Sequence, residues 1–253
     1  MTIDINKCAE EILEIGHCVL PAHFLSSALD EFHKGFLPLL EEVSERIPEG
    51  NRGPQRWAIG LPFAPPFHHS ALFNDGVVNA IVERILGENS YIPYYGTDTP
   101  MQGSEYQRIH ADLPFLFPEE EDHVHPPLTL SVRFVSVDMT FENGPFESAE
   151  RTQNLPRNET IRKAESGQIP LKPVMLKAGD VLITDPRNLH RGSPNHTDTP
   201  RPFAVIVYNR SWYWTKKETL EANESTPQLK ESFFKCLSPN EQHMLRMVPR
   251  TDG

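Results

Sequence analysis

Apolar positions recur every three to four residues over the first ninety positions, then every second residue over much of 90–214. The first period predicts helices and the second predicts strands. Ile5, Ala9, Ile12 and Ile15 share one helical face behind Asp4, a ready N-cap, and Gly16 supplies the stop. Cys18-Val19-Leu20 follows as a short extended piece. Ser27 with Asp30 opens a second helix through Leu29, Phe32 and Phe36, which Pro38 bends or ends. Five prolines between positions 48 and 66 predict a long irregular loop. Within it Arg56-Trp57 is a candidate substrate contact, with packing beneath the loop as the simpler role. A third helix is predicted from about 75 to 86, with Val78, Ile81, Val82 and Ile85 on one face and Gly87 behind them.

Strands are expected at 91–97, 106–110, 128–137, 174–176, 181–184 and 203–209, with Lys177-Ala178-Gly179-Asp180 as a hairpin-like turn. Many short strands punctuated by Pro, Gly and Asp indicate a mainly β fold, a sandwich or jelly-roll barrel, with flanking helices. Insertions at 113–127 and 148–173 interrupt it. Ser238-Pro239-Asn240-Glu241 is a capping box that predicts a terminal helix through Leu245. The expected organisation is one domain over 1–253: a helical part to 90, a jelly-roll core over 90–215 and a helical tail over 216–253.

Charge narrows the partners. With 24 Lys and Arg against 35 Asp and Glu, the formal net charge of −11 gives no electrostatic footprint for nucleic acid and disfavours anionic membranes. The 24 prolines suit a loop-rich β fold. No run approaches the roughly 18 apolar residues of a membrane span. Cys8, Cys18 and Cys236 form no C-x-x-C pair and read as free thiols. The first residues have neither a basic run nor a long apolar core. Together these features predict a cytoplasmic protein.

The chemistry sits in the second half. In His110-Ala111-Asp112 the two polar side chains are two apart and share a face of an extended segment. With His190 they make two imidazoles and one carboxylate, a set that can occupy one face of a six-coordinate Fe(II) and leave the other open. Arg201 follows His190 by eleven positions, between Pro200 and Pro202 at the head of an apolar strand. Pointing inward it needs an anion, and a guanidinium pairs best with a carboxylate. The partner is the distal carboxylate of a 2-oxo acid co-substrate, or a structural acid such as Asp180 or Asp185. Thr129, Ser131 and Arg133 alternate with Leu130, Val132 and Phe134, which puts three polar side chains on one strand face. The insertion after Asp112 joins apolar Leu113, Phe115, Leu116 and Phe117 to the acidic run 119–122, the composition of a mobile lid. Phosphate-binding loops, a dinucleotide fingerprint and a nucleophile elbow are missing.

Taken in order, these motifs resemble the phytanoyl-CoA dioxygenase family of Fe(II)/2-oxoglutarate oxygenases over nearly the whole chain. Gly16-His17-Cys18-Val19-Leu20 is similar to its N-terminal strand, His110-Ala111-Asp112 to its metal motif and Glu142-Asn143-Gly144-Pro145 to its E-N-G-P turn. Lys177-Ala178-Gly179-Asp180-Val181-Leu182 is similar to its k-x-G-D-v-l segment, and His190, Asn195 and Arg201 match its distal ligand, asparagine and co-substrate arginine. One stretch departs: where the family reads P-G-S-H after that turn, this chain has Glu150-Arg151-Thr152-Gln153.

The resemblance implies a double-stranded β-helix of the jelly-roll, cupin-like kind. It implies His110, Asp112 and His190 as the iron ligands and catalytic centre, and Arg201 on 2-oxoglutarate, with Tyr94, Ser193 and Arg133 as further co-substrate contacts. O₂ is then consumed, and ascorbate stimulates. Substrate contacts are expected from Thr129, Ser131, Phe115 and Trp57. The expected reaction is oxidation of a small-molecule metabolite in biosynthesis, with release of succinate and CO₂. Hydroxylation is the default, and desaturation, epoxidation or ring closure need only another placement of the substrate. Asp112 fills the position that halogenating relatives leave without a carboxylate, so halogenation is not expected. The alternatives are an acyl-CoA hydroxylase of the same family, a non-catalytic jelly-roll metal- or ligand-binding protein, and a zinc or cofactor-free cupin-like isomerase.

Overall fold

A computed structural model describes residues 3–113, 116, 125–214 and 229–251. Nine strands build two facing antiparallel sheets. The larger runs β1 (His17–Leu20), β7 (Val181–Thr184), β4 (Thr129–Val135), β9 (Phe203–Asn209), β3 (Tyr91–Pro100) and β2 (Arg56–Gly60) in spatial order. The smaller runs β6 (Lys172–Val174), β5 (Phe146–Ser148) and β8 (His190–Gly192). The arrangement is a jelly roll, as the strand pattern predicts.

Alternation along the central strands decides what lies on either side. Ser131 stands opposite Thr184 and Val207, and Arg133 opposite Leu182 and Val205, so these side chains share the inner face. Leu130, Val132 and Phe134 point the other way. They join Ile183, Ile206 and Tyr208 in the main core, which α1 (Ile5–Ile15), α2 (Ser26–Arg46) and, after the one-turn α3 (Ser70–Phe73), α4 (Gly76–Leu86) cover with Ile12, Phe32, Phe36, Val78 and Ile81. A smaller cluster between the sheets joins Val135, Leu182 and Phe203 to Phe146 and Val174. The helices therefore brace the outer wall and leave the inner face for chemistry.

The ends of α1, α4 and the C-terminal box are capped by side chains or glycine, whereas α2 begins behind Leu25 with no side-chain cap in place of the expected Ser27 start. Asp4 accepts from Lys7 N, Gly16 stops α1 at φ 95°, and Asp75 accepts from Val77 N and Val78 N. Ser238 and Glu241 form the capping box of a short helix, Pro239–Met244.

Pro38 lies inside α2, so of its two expected effects it does not end the helix; Lys34 and Pro38 are both exposed, so the carbonyl that loses its partner faces water. Three local expectations are corrected. Residues 48–66 are not wholly irregular, because β2 pairs along β3 from Arg56↔Pro100 to Gly60↔Gly96. Residues 106–110 form no strand: His110 bridges His190, and Gln107 is tied to Gly192 through its backbone and its side chain. The third strand of the small sheet pairs at 172–174 and not 174–176, because Phe146 is in register with Val174. The 148–173 insertion carries α5 (Arg157–Glu165). Its Ala164 packs with Ile109 and Leu189, the residues just before the two histidines. No described helix is long and apolar enough to cross a membrane.

Candidate metal centre

His110 and His190 are brought together by backbone pairing. Each donates its N–H to the other's carbonyl, at 3.0 and 2.8 Å, and the imidazole centroids stand 4.5 Å apart. The Nδ1 atoms are engaged by the carbonyls of Arg108 (2.7 Å) and Asn188 (2.9 Å). Each ring therefore carries its proton on Nδ1 and presents the Nε2 lone pair, the usual arrangement behind a metal-bound histidine. Asp112 Oδ1 lies 3.6 Å from His110 Nε2 and 3.4 Å from His190 Nε2, and the three donors lie within 4.8 Å of one another. Cis ligands about 2.1 Å from one ion stand about 3 Å apart, so small rotations would close these atoms on an ion.

The charge states of Asp112 and His190 suit ligation, whereas burial lowers His110 but its contacts with Asp112 and the Arg108 carbonyl raise it above its ordinary value. The protein around Asp112 pushes its pKa up, but His190, the contacts to both imidazoles and Arg133 together hold it well below the usual carboxylate range. Burial keeps His190 below its ordinary value and outweighs the pull of Asp112. An anionic carboxylate and a neutral imidazole are the forms that bind a metal.

A cavity of about 380 Å³ opens over these donors. Tyr94, Thr129, Ser131 and Arg133 line it. Burial pushes the Tyr94 phenol up to about 12, and its hydroxyl lies over Gly96, where a Cβ would collide with it. Thr129 donates to Asn209, which also lines the wall (2.8 Å).

Arg201 is 1% exposed, and its Nε and Nη1 have no hydrogen-bond partner among the described residues. Burial first, and then the charge of Arg56, push its pKa down to about 9 against the weaker pull of Asp98, which itself pairs with Arg56. Neither structural acid serves it: Asp185 pairs with Arg187 at 2.6 Å, and Asp180 accepts from Ala22 N and Lys177 N. A buried guanidinium without a carboxylate is costly, and it fits a co-substrate that brings one. Arg201 does not itself line the cavity, but its guanidinium lies 5.5 Å from the ring of Phe203, which does. Ser193 is buried behind the same wall with its Oγ unpartnered, and its carbonyl accepts from Arg56 Nη2 at 2.8 Å.

Trp57 is corrected. It alternates with the inward Arg56 and Ala58, points to the outer core, and donates its indole N–H to Ile47 O at 2.9 Å. Phe115 lies outside the described residues, as does most of the proposed lid. The segment's described ends are tied to the core: Arg157 donates to Leu113 O at 3.1 Å and Arg187 to His125 O at 2.9 Å.

Sequence reasoning raised Arg56 as substrate-facing but missed the polar cluster it forms beside the centre. Arg56, 1% exposed, pairs with Asp98 Oδ2 at 3.0 Å, and Gln107 donates to the same oxygen at 3.3 Å. Arg52 lines the cavity, and its backbone N–H donates to Arg56 O at 3.2 Å. The signal was Arg56-Trp57-Ala58-Ile59, a period of two hidden among prolines.

The model of the phytanoyl-CoA dioxygenase (PhyH) family matches residues 16–203. Solved structures share the fold. AviO1 from Streptomyces viridochromogenes Tue57 is 17% identical at TM-score 0.63, covering 85% of this chain and 99% of that one. HygX from Streptomyces hygroscopicus, with nickel and 2-oxoglutarate bound, is 17% identical at TM-score 0.63, over 84% and 89%. The non-heme alpha ketoglutarate dependent epimerase SnoN from nogalamycin biosynthesis is 17% identical at TM-score 0.61, over 81% and 80%. HygX has also been solved with hygromycin B bound.

Proposed function

The chain belongs to the phytanoyl-CoA dioxygenase family of Fe(II)/2-oxoglutarate oxygenases, and on that premise we propose that it oxidises a compact, polar small-molecule metabolite at iron held by His110, Asp112 and His190. One observation carries the reading: three metal donors converge in a cavity near a buried arginine with two unpartnered donors. Bound there, iron and 2-oxoglutarate supply O₂ activation, with succinate and CO₂ as the co-products.

The residues of this chain have separate tasks. Arg201 takes the distal carboxylate of the co-substrate, and Ser193 stands ready as a second donor. His110 and His190 keep their Nε2 lone pairs aimed by giving their Nδ1 protons to backbone carbonyls. Tyr94, Thr129, Ser131 and Asn209 form a polar wall that orients the target C–H bond, and Phe146, Phe203, Val205 and Val207 keep the interior dry.

Size and charge favour a metabolite over an acyl-CoA. The cavity is near the lower end for ligand sites and must hold the co-substrate as well. A net charge of −11 disfavours a polyphosphate. Hygromycin B on HygX and the nogalamycin origin of SnoN support a biosynthetic role. We place the enzyme in the cytoplasm as one domain, consistent with three free cysteines, and without nucleic-acid or membrane partners. The test is succinate release from 2-oxoglutarate with Fe(II) and ascorbate, followed by a metabolite screen read as mass shifts. Release should vanish in His110→Ala and His190→Ala variants that keep the wild-type circular dichroism. Retained turnover in either refutes the assignment.

A further inference from the structure

The three candidate donors are not held alike. His110 and His190 are fixed twice, by the backbone bridge between them and by a carbonyl on each Nδ1. Asp112 stands on an irregular segment at the rim, its side chain 31% exposed, and its backbone is tied by one bond to Pro186 O. A carboxylate so placed turns freely about its χ angles unless something grips it.

The grip comes from the opposite wall. Arg133 Nη2 donates to Asp112 Oδ2 at 2.7 Å, while the other oxygen, Oδ1, is the one that faces both histidines. Arg133 sits on central strand β4 with its side chain 8% exposed. Its guanidinium packs over two rings, 5.2 Å from Phe146 and 5.7 Å from Phe203. Phe146 in turn lies 5.1 Å from the His190 imidazole. The guanidinium is thus a rigid part of the barrel, and it reaches the one donor that the backbone leaves loose.

We propose that Arg133 is a positioning residue for the metal carboxylate: it occupies Oδ2, presents Oδ1 alone to the ion, and keeps Asp112 monodentate so that a position stays open for co-substrate and O₂. The inference rests on the iron reading above and assigns Arg133 a different task from a co-substrate contact. Its position matters because two effects compete. A fixed cation beside the ligand repels a divalent ion, whereas a fixed carboxylate binds it better than a mobile one. Orientation wins when the cation is already neutralised by the carboxylate it holds, as here. Outer-shell partners of this kind are worth ten- to hundredfold in metal affinity.

Co(II) is the probe, since it binds the same donor set and its visible absorption reports coordination number. Arg133→Met keeps the stem between the rings and removes the donor. It should weaken Co(II) binding ten- to hundredfold and change the Co(II) spectrum, with thermal unfolding showing a folded chain. Arg133→Lys keeps a donor and should recover affinity to within about fivefold. If Arg133→Met does not fold, Arg133→Gln, whose amide falls short of Asp112, carries the same expectation. Wild-type affinity with an unchanged spectrum in the folded variant, or tighter binding, overturns the proposal. Wild-type binding that His190→Ala abolishes and Arg133→Met preserves overturns this inference alone. Failure of the wild-type chain to bind Co(II) overturns both readings.

Discussion

Arg201→Met separates stability from function, because the two should move in opposite directions. Its pKa falls from 12.5 to about 9 through burial and the Arg56 charge, a penalty on the order of 5 kcal/mol against the charged form. Methionine fills a similar volume without charge, so the ligand-free variant should unfold at a higher temperature than wild type. A gain of even 1–2 kcal/mol raises Tm by roughly 2–8 °C in a chain of this size. The same change removes two unpartnered donors, Nε and Nη1, from a charge-assisted pair with a carboxylate. Co-substrate binding should weaken by about 1.5–3 kcal/mol, roughly one to two decades. The assay is thermal unfolding of the Ni(II)-loaded protein across a 2-oxoglutarate titration. Wild type should gain Tm with ligand, while the variant should start higher and respond only at much higher concentration. An unchanged 2-oxoglutarate constant, or a less stable ligand-free variant, would refute the reasoning.

Other perturbations probe the scaffold. Phe146→Ala removes a 5%-exposed ring that touches His190, Arg133 and Phe203, and should cost about 3–5 kcal/mol by chemical denaturation, with Phe146→Leu costing less than about 1.5 kcal/mol. Gly96→Ala would put a Cβ against the Tyr94 hydroxyl and 2.8 Å from Ile59 O, and should lower stability by about 1–3 kcal/mol in the same assay. Burial lowers the pKa of His68, stacked on Phe73 at 4.5 Å, despite the opposing charge of Glu241. The folded state then binds this proton less readily than the unfolded chain. The contribution of neutral His68 is therefore complete above about pH 6.5 and declines as pH falls below it. The Tm advantage of wild type over His68→Gln should shrink between pH 7.5 and 5; a constant advantage would contradict the sign.

What was legible in the sequence tracks how local the cause is. The helices announced themselves through Asp4, Asp75 and the Ser238 capping box, and β7 and β9 through unbroken apolar runs bounded by turn residues. β2 stayed hidden because its evenly spaced partners lie on β3, forty residues on, and because proline density suggested a loop. Residues 106–110 read as a strand, yet what extends them is one bridge and a glutamine side chain. The two histidines and Asp112 could be proposed from spacing and resemblance. Trp57 could not be placed without knowing which face of β2 meets the helices. The hold of Arg133 on Asp112 was equally out of reach: it links a strand to a loop 21 positions earlier and depends on rings from two further strands.

His110, Asp112 and His190 should hold one ion, and Arg201 one carboxylate. A crystal structure of the wild-type protein with Ni(II) and 2-oxoglutarate, phased at the nickel edge, should show a single anomalous peak bonded to His110 Nε2, His190 Nε2 and Asp112 Oδ1, with the co-substrate's distal carboxylate against Arg201. A metal bound elsewhere, or a distal carboxylate that leaves Arg201 unpaired, would overturn both assignments.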